Sequence, residues 1–512
     1  MSPAKTVPRE EPTVPAQSDS RQQVFLWLVA ATILAGTIVR LVMYVSATPQ
    51  YDEAYTHINF STTSLWDAAS LYVAPTNHIF YSILSRLAQI AKPGDILITR
   101  LPALLAGVAV IPATIFFARQ VTDSRRVAVV AGVLAAFNPQ LILYSAEARG
   151  YTMLALFGVI WAILGYRCAT DEKVNVTSWV GLSVVSALGI WTVPIFVYAV
   201  VALAVWMLLV RWLRHGLDRR FMGQAALAGG FAVVLTSIAL FPIFYRQGGV
   251  AEILNQPLLN ATNPSLGGVP GRELSAFFDL LPGYLSDVAL WMVEAIPTAV
   301  SVMLAILVLL GILSRRTPFA LRVLVPVFVP VVVLVLMVQR LQPLARSWAP
   351  LLPLLIVTAA AGALSLRLLR EIRPNPGPVA TTILTLIVAT LGLSSVAADY
   401  DSPMRNVAAA DMEHVVELMK TDFPDGATLV VSRSSVPQAR YWFSRHPDLV
   451  LGGTSRVVAI DHRLNGSLDD LAEMRHLYSL DGSEFANRAG VSKENLVPIA
   501  EFGSTTVYWN GK

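Results

Sequence analysis

Two carboxylates stand side by side in the segment YDEAYT, Asp52 and Glu53, directly after the first long apolar run. Adjacent carboxylates repel, so one of them is pushed toward holding a proton near neutral pH and becomes usable as a general base. Two acids in a loop are more often simply solvated, and the pair gains meaning from its company. The segment NPQLILYSAEARGY supplies Tyr144, Glu147, Arg149 and Tyr151, and RLQPLARSWAPLLP supplies Arg340 and Arg346. A carboxylate that accepts a proton and guanidinium forks that hold a phosphate suit transfer of a group from a phosphate to a hydroxyl. Each arginine also has a structural alternative, as a snorkelling or helix-pairing side chain.

The elements that carry these residues are apolar. Of 512 residues 55% are hydrophobic and 14% charged, with a mean hydropathy of +0.58, against roughly 25% charged in a soluble domain. Runs long enough to cross a bilayer lie at Val24–Val45, Leu101–Ala118, Val127–Leu143, Thr152–Tyr166, Trp179–Ile190, Val193–Leu209, Gly223–Phe244, Val288–Leu313, Leu321–Val338, Ala349–Leu366 and Val379–Val396. The sequence thus predicts an α-helical polytopic membrane protein of about eleven spans. The stretch Ser178–Val210 reads either as two short helices or as one tilted helix. The net charge of +4 and pI near 9.1 report topology and not nucleic acid, because the basic residues sit between the apolar runs. The single cysteine, Cys168, permits no internal disulfide.

Arginines set the orientation. With residues 1–22 as a disordered cytoplasmic tail, the inside loops hold Arg119, Arg125 and Arg126; Arg167 and Lys173; Arg211, Arg214, Arg219 and Arg220; Arg315 and Arg316; Arg367, Arg370 and Arg373. This alternation follows the positive-inside rule and predicts an extracytoplasmic C-terminus in the plasma (inner) membrane. The acids and the excess arginines then share the outer face of a catalytic body spanning 23–398. Its first outer loop, 46–99, contains an amphipathic stretch from Ile79 to Ile90, with Ile79, Phe80, Ile83, Leu84, Leu87 and Ile90 opposite Ser82, Ser85, Arg86 and Gln89. The second, 246–287, is rich in Gly, Pro and Asn and reads as irregular. Residues 399–512 alternate strand and helix patterns, as a small α/β extracytoplasmic domain would; His446, Asp461, His462 and Arg463 there read as solvated surface, with sugar binding as the alternative.

The DE pair after the first span, the loop APTNHIFYSILSRL, the YSAEARGY turn and the late P-x-x-R-x-W-x-x-L-x-P turn resemble the GT-C superfamily. More closely, they look like bacterial relatives of the protein O-mannosyltransferases and of the lipid A aminoarabinose transferase. The resemblance covers about residues 20 to 400. It implies an inverting glycosyltransferase that moves a sugar, mannose by family prior, from a polyprenyl-phosphate donor to an envelope glycan, glycolipid or protein acceptor. It assigns Asp52 as base and Glu53 as its positioning neighbour, with Arg149, Tyr151, Arg346 and Arg340 at the donor phosphate. Asn77, His78, Glu147 and Tyr144 become candidate substrate contacts, and Arg40 and Glu294 candidates to border the cavity. No D-x-D stands in the first outer loop, so no dedicated metal or other cofactor is indicated. A transporter or flippase is the alternative for so many spans, but it would place its polar sites near the bilayer midplane.

Overall fold

The computed structural model describes residues 17–47, 49–72, 77–246, 248, 274–339 and 342–365, and beyond them 414–419, 428–432, 440–442, 456–460, 477–480, 497–502 and 505–509. The chain opens with α1 (Gln17–Ser46), which begins inside the predicted tail. It is followed by the short α2 (Tyr51–Thr56), a π-helical turn (His57–Ser61), α3 (Leu65–Ser70) and α4 (Ile79–Ala88). Long apolar helices make the body: α5 (Ile96–Thr122), α6 (Arg125–Phe137) with α7 (Pro139–Ala146), α8 (Tyr151–Thr170), α9 (Val176–Thr192), α10 (Phe196–His215) and α11 (Arg219–Arg246). Then come α12 (Leu274–Val293), α13 (Thr298–Leu313), α14 (Phe319–Gln339), a 3-10 turn (Ala345–Trp348) and α15 (Leu351–Ser365).

Among the described residues six helices are long and apolar enough to cross a membrane, and up to eight candidates result if each of two bent pairs is one span. The protein is a multi-pass membrane protein. The ambiguous stretch around Trp191 resolves into two helices, α9 and α10, with Pro194 between them. The run at 127–143 is bent by 51° at Asn138–Pro139. Pro139 has no N–H for the Ala135 carbonyl, and Arg40 of α1 makes up the deficit. Its Nη2 donates to Ala135 O at 3.0 Å, its Nη1 to Ala136 O at 2.7 Å and Gly36 O at 3.0 Å, and its Nε to Ser145 Oγ at 3.2 Å. Arg40, expected at the cavity border, is instead fully buried helix glue. In lipid every such backbone group must find a partner inside the protein.

Two expectations are corrected. The segment 246–287 was expected to be irregular, yet α12 starts at Leu274, because Leu274, Phe277, Phe278, Leu281, Tyr284 and Leu285 recur at helical spacing. The run Val288–Leu313 was expected as one span, but it is broken by 107° where Ala295 takes a left-handed φ of 63° just before Pro297. The helix expected at Ile79–Ile90 is present as α4, with an informative orientation. Its polar side faces the body: Ser82 donates to Asn77 Oδ1 and Ser85 pairs with Ser61, each at 2.7 Å, while Gln89 just beyond donates to Thr99 Oγ1 at 2.8 Å. Leu87 and Ile90 are left exposed at the surface. The predicted span Val379–Val396 lies outside the described residues.

Beyond the bundle, β1 (Thr428–Ser432), β2 (Arg456–Ile460), β3 (Leu477–Leu480), β4 (Val497–Phe502) and β5 (Thr505–Trp509) form one mixed sheet of order β2-β1-β3-β5-β4. β1 runs parallel to β2 and β3, and β5 antiparallel to β3 and β4.

A close helix approach joins α13 and α15. A Cβ on Gly362 would lie 1.9 Å from Leu307 O, and one on Gly311 2.2 Å from Thr358 O, so backbone meets backbone with no side chain able to yield. Gly362→Ala is therefore expected to destabilise the protein by about 1–3 kcal/mol, the usual cost of overpacking. Gly229→Ala, whose Cβ meets nothing within 4 Å, serves as the control. Melting temperatures in one detergent check this, and equal values for the two variants would refute the packing account.

Candidate active site

The two adjacent acids have different fates. Glu53 sits in the first turn of α2, where its Oε2 accepts from Gln50 N at 3.0 Å. Arg100 of α5 then grips it with both tines of its fork, Nε to Oε1 at 2.8 Å and Nη2 to Oε2 at 2.9 Å, and the Ala148 N–H adds a bond to Oε1 at 2.7 Å. Arg100 spends Nη1 on the Tyr44 and Ala47 carbonyls at 3.0 and 2.8 Å. Both side chains are 1% exposed. Glu53 thus lies in a closed structural clasp, its oxygens taken by Arg100 and two backbone N–H groups, where a positioning role at the reaction centre was expected for it. Arg100 was not singled out in the sequence, although the criterion that drew attention to Arg346, an arginine at the expected outer end of an apolar helix, applies to it equally.

Asp52 is the acid left accessible, with 13% of its side chain exposed. Its Oδ2 lies 2.8 Å from Arg346 Nη2, on the 3-10 turn, and 3.7 Å from Arg149 Nη2, in the turn between α7 and α8. Arg149 also donates to Thr56 Oγ1 at 3.3 Å. Both guanidinium groups lie over the ring of Tyr151, 5.3 Å away for Arg346 and 5.9 Å for Arg149, so one aromatic ring serves two cations. Burial pushes the Asp52 carboxyl up, but Arg149 and Arg346 together outweigh it and hold it below the usual carboxylate range.

The surrounding residues steady this group. His78 Nδ1 accepts the Gly150 N–H at 2.8 Å, placing its ring proton on Nε2, and the imidazole stands edge-on to Tyr151 at 4.7 Å. Burial first, then Arg149 and Arg346, keep its pKa well below the ordinary histidine value, so it acts as a neutral acceptor that fixes the Arg149 turn. Gly150 is required there, since a Cβ would lie 2.5 Å from Thr192. Tyr144 packs on Tyr151 at 5.0 Å and accepts from Trp291 Nε1 at 3.1 Å. Asn77 is committed to the loop, donating to the Leu71 and Ala68 carbonyls at 2.7 and 3.3 Å and accepting from Ser82, so its amide does not face the acids. Glu294 accepts from Gln140 at 3.1 Å. Arg340 lies outside the described residues. Among the described residues no three His, Cys, Asp or Glu side chains are grouped to hold a metal ion.

Comparison with known proteins reinforces the fold. No protein-family profile matches the chain, and no curated sequence is recognisably similar. Solved structures are. ArnT from Cupriavidus metallidurans in the apo state superposes with a TM-score of 0.61 at 11% identity, covering 96% of this chain and 98% of that one. The same protein bound to undecaprenyl phosphate gives a TM-score of 0.57 at 12% identity, covering 94% and 98%. The chain therefore shares the fold of ArnT.

Glu147, in the turn beside Arg149, is the acid with the opposite tendency. Burial pushes its carboxyl up to about 7, with Asp52 and Glu53 adding to the rise and Arg346 opposing it. A carboxyl whose folded pKa is raised binds its proton more tightly folded than unfolded, so it erodes stability as pH climbs from the unfolded value of 4.5 toward about 7. Glu147→Gln, which mimics the protonated form, is expected to raise the melting temperature by a few degrees at pH 8 and to leave it unchanged at pH 4.5. An equal shift at both pH values would show that the charge of Glu147 is not strained by its surroundings.

Proposed function

We propose that this protein is an inverting glycosyltransferase that moves a sugar from a polyprenyl phosphate to an acceptor hydroxyl at the extracytoplasmic membrane surface. The observation that carries the reading is the Asp52 carboxylate under two guanidinium groups seated on one tyrosine ring, at one end of an apolar bundle. Such a site offers a proton acceptor beside a phosphate cradle within reach of a lipid-borne substrate. The shared fold with a protein captured with undecaprenyl phosphate supports the same donor class here.

The chemistry then follows from charge. Arg149 and Arg346 bind the donor phosphate and share with it the charge that otherwise depresses Asp52, which regains basicity as the donor arrives. Asp52 takes the proton of the acceptor hydroxyl, and the oxygen attacks the anomeric carbon from the face opposite the phosphate. The carbon–phosphate oxygen bond breaks, and the phosphate departs with the electron pair, its growing charge met by the two arginines. One displacement inverts the anomeric configuration. Mannose is the first sugar to test, with arabinofuranose, aminoarabinose, glucose and galacturonic acid behind it; the acceptor is an envelope glycan, a glycolipid or a protein hydroxyl. The topology that goes with this reading has about eleven spans, a cytoplasmic N-terminus and an extracytoplasmic α/β domain at the C-terminus, which puts Asp52 on the outer surface.

Asp52→Asn keeps shape and hydrogen bonding but takes up no proton, so turnover is expected to fall by roughly a hundredfold or more while donor binding survives. Arg149→Ala or Arg346→Ala is expected to weaken donor binding and rate together, with lysine rescuing in part because it restores charge without the fork. Transfer from synthetic polyprenyl-phosphate sugars, with donor binding measured on each purified variant, decides the matter. Folded Asp52→Asn protein with wild-type turnover would sink the assignment.

A further inference from the structure

We infer that Tyr441, in the C-terminal part of the chain, is a positioning residue for the Asp52 site, a role that rests on the proposed transfer reaction. Tyr441 and Trp442 lie in a short helical segment, 440–442, between β1 and β2. Both are large aromatic side chains that a solvated appendage would leave exposed, yet Tyr441 is 2% exposed and Trp442 8%. The Tyr441 ring meets the His57 ring edge-on, with centroids 5.6 Å apart and an interplanar angle of 81°. Its own neighbour Trp442 stands edge-on to it at 5.3 Å.

The place it touches gives the contact its consequence. His57 opens the π-helical turn that continues α2, and it directly follows Thr56, the hydroxyl that receives Arg149. Its Nδ1 lies 2.6 Å from Thr99 Oγ1, and Thr99 precedes the Arg100 that clasps Glu53. Asp52 is thus carried on a short continuous helical piece, Tyr51–Ser61, whose front holds the acids and whose rear rests on Thr99 and Tyr441. A π turn is intrinsically less favourable than α-helix, and such turns recur at functional sites because tertiary packing holds them. Tyr441 supplies part of that packing from a segment remote in sequence. The C-terminal unit is therefore a brace for the helix that presents the base, whereas the two arginines stand on other segments, Arg149 in the turn between α7 and α8 and Arg346 on the 3-10 turn.

This separation defines the test, made on the full chain with a polyprenyl-phosphate sugar as donor. Tyr441→Ala is expected to lower kcat about tenfold or more, since misplacing a catalytic group by an ångström costs up to a hundredfold. The donor KM should stay within about twofold, and Tyr441→Phe, which keeps the ring, should restore most of the rate. Tyr441→Ala protein that is folded and has wild-type kcat would overturn the inference, as would a loss confined to donor KM. A second measurement is independent of catalysis: a photoreactive benzoylphenylalanine in place of Tyr441, followed by mass spectrometry of the cross-linked peptides. Cross-links to residues 51–61 are expected, and cross-links only to other segments would overturn the contact even in a protein that transfers no sugar. Wild-type protein that is inactive with every donor, yet cross-links to 51–61, would count against the transferase reading and against this role together, while leaving the brace itself in place.

Discussion

The buried pair of Glu53 and Arg100 is the interaction on which the site depends. Taking both charges out of water costs several kcal/mol for each, and the cost is met here only because nearly every donor and acceptor is matched. The carboxylate is closed by the Arg100 fork and by the Gln50 and Ala148 N–H groups, and the guanidinium also caps carbonyls at the end of α1. One side-chain pair thereby pins the end of α1, the start of α2, the start of α5 and the turn before α8. Removing either partner would strand the other charge in a dry environment, a loss of about 3–5 kcal/mol.

With Glu53 consumed, Asp52 acquires a defined task. The two residues are adjacent, but the helical turn aims one into the clasp and the other toward Arg149 and Arg346. The field of the arginines keeps Asp52 ionised, while burial and the neighbouring acids hold Glu147 partly protonated near neutral pH. Environments that drive the pKa values of nearby carboxyls apart are what a proton-transfer site requires. Tyr151 matters as a surface more than as a hydroxyl, because its ring keeps two like charges close enough to act on one anion.

The apolar solvent imposes a second constraint. Bends at Asn138–Pro139 and at 294–297 leave backbone groups without helical partners, and at the first of these the structure spends a whole buried arginine on them. The bends repay that cost in geometry. The first turns the chain toward the Glu147–Arg149 turn, and the second lets Trp291 of α12 donate to Tyr144 while Tyr284 accepts from Trp348 beside Arg346. The hydrogen-bonded inward face of α4 follows the same logic, with Leu87 and Ile90 left at the surface.

What the sequence determined by itself was the membrane body, most helix positions and the set of segments that meet at the site, because hydrophobic length and charge placement are local properties that lipid reads directly. YDEAYT, SAEARGY and LARSW do converge. What it left undecided was the division of labour within that set. Whether Glu53 faces substrate or Arg100, whether Arg40 borders a cavity or caps carbonyls, and whether Asn77 touches sugar or holds a loop depend on which partner lies within hydrogen-bond reach across remote helices. The bend before Pro297 and the rest of His57 on Tyr441 were equally illegible, since each is a consequence of packing between segments far apart in the chain. A carboxylate has the same chemistry at either position; only the tertiary structure decided which one is closed off by Arg100 and which one stays accessible beside Arg149 and Arg346.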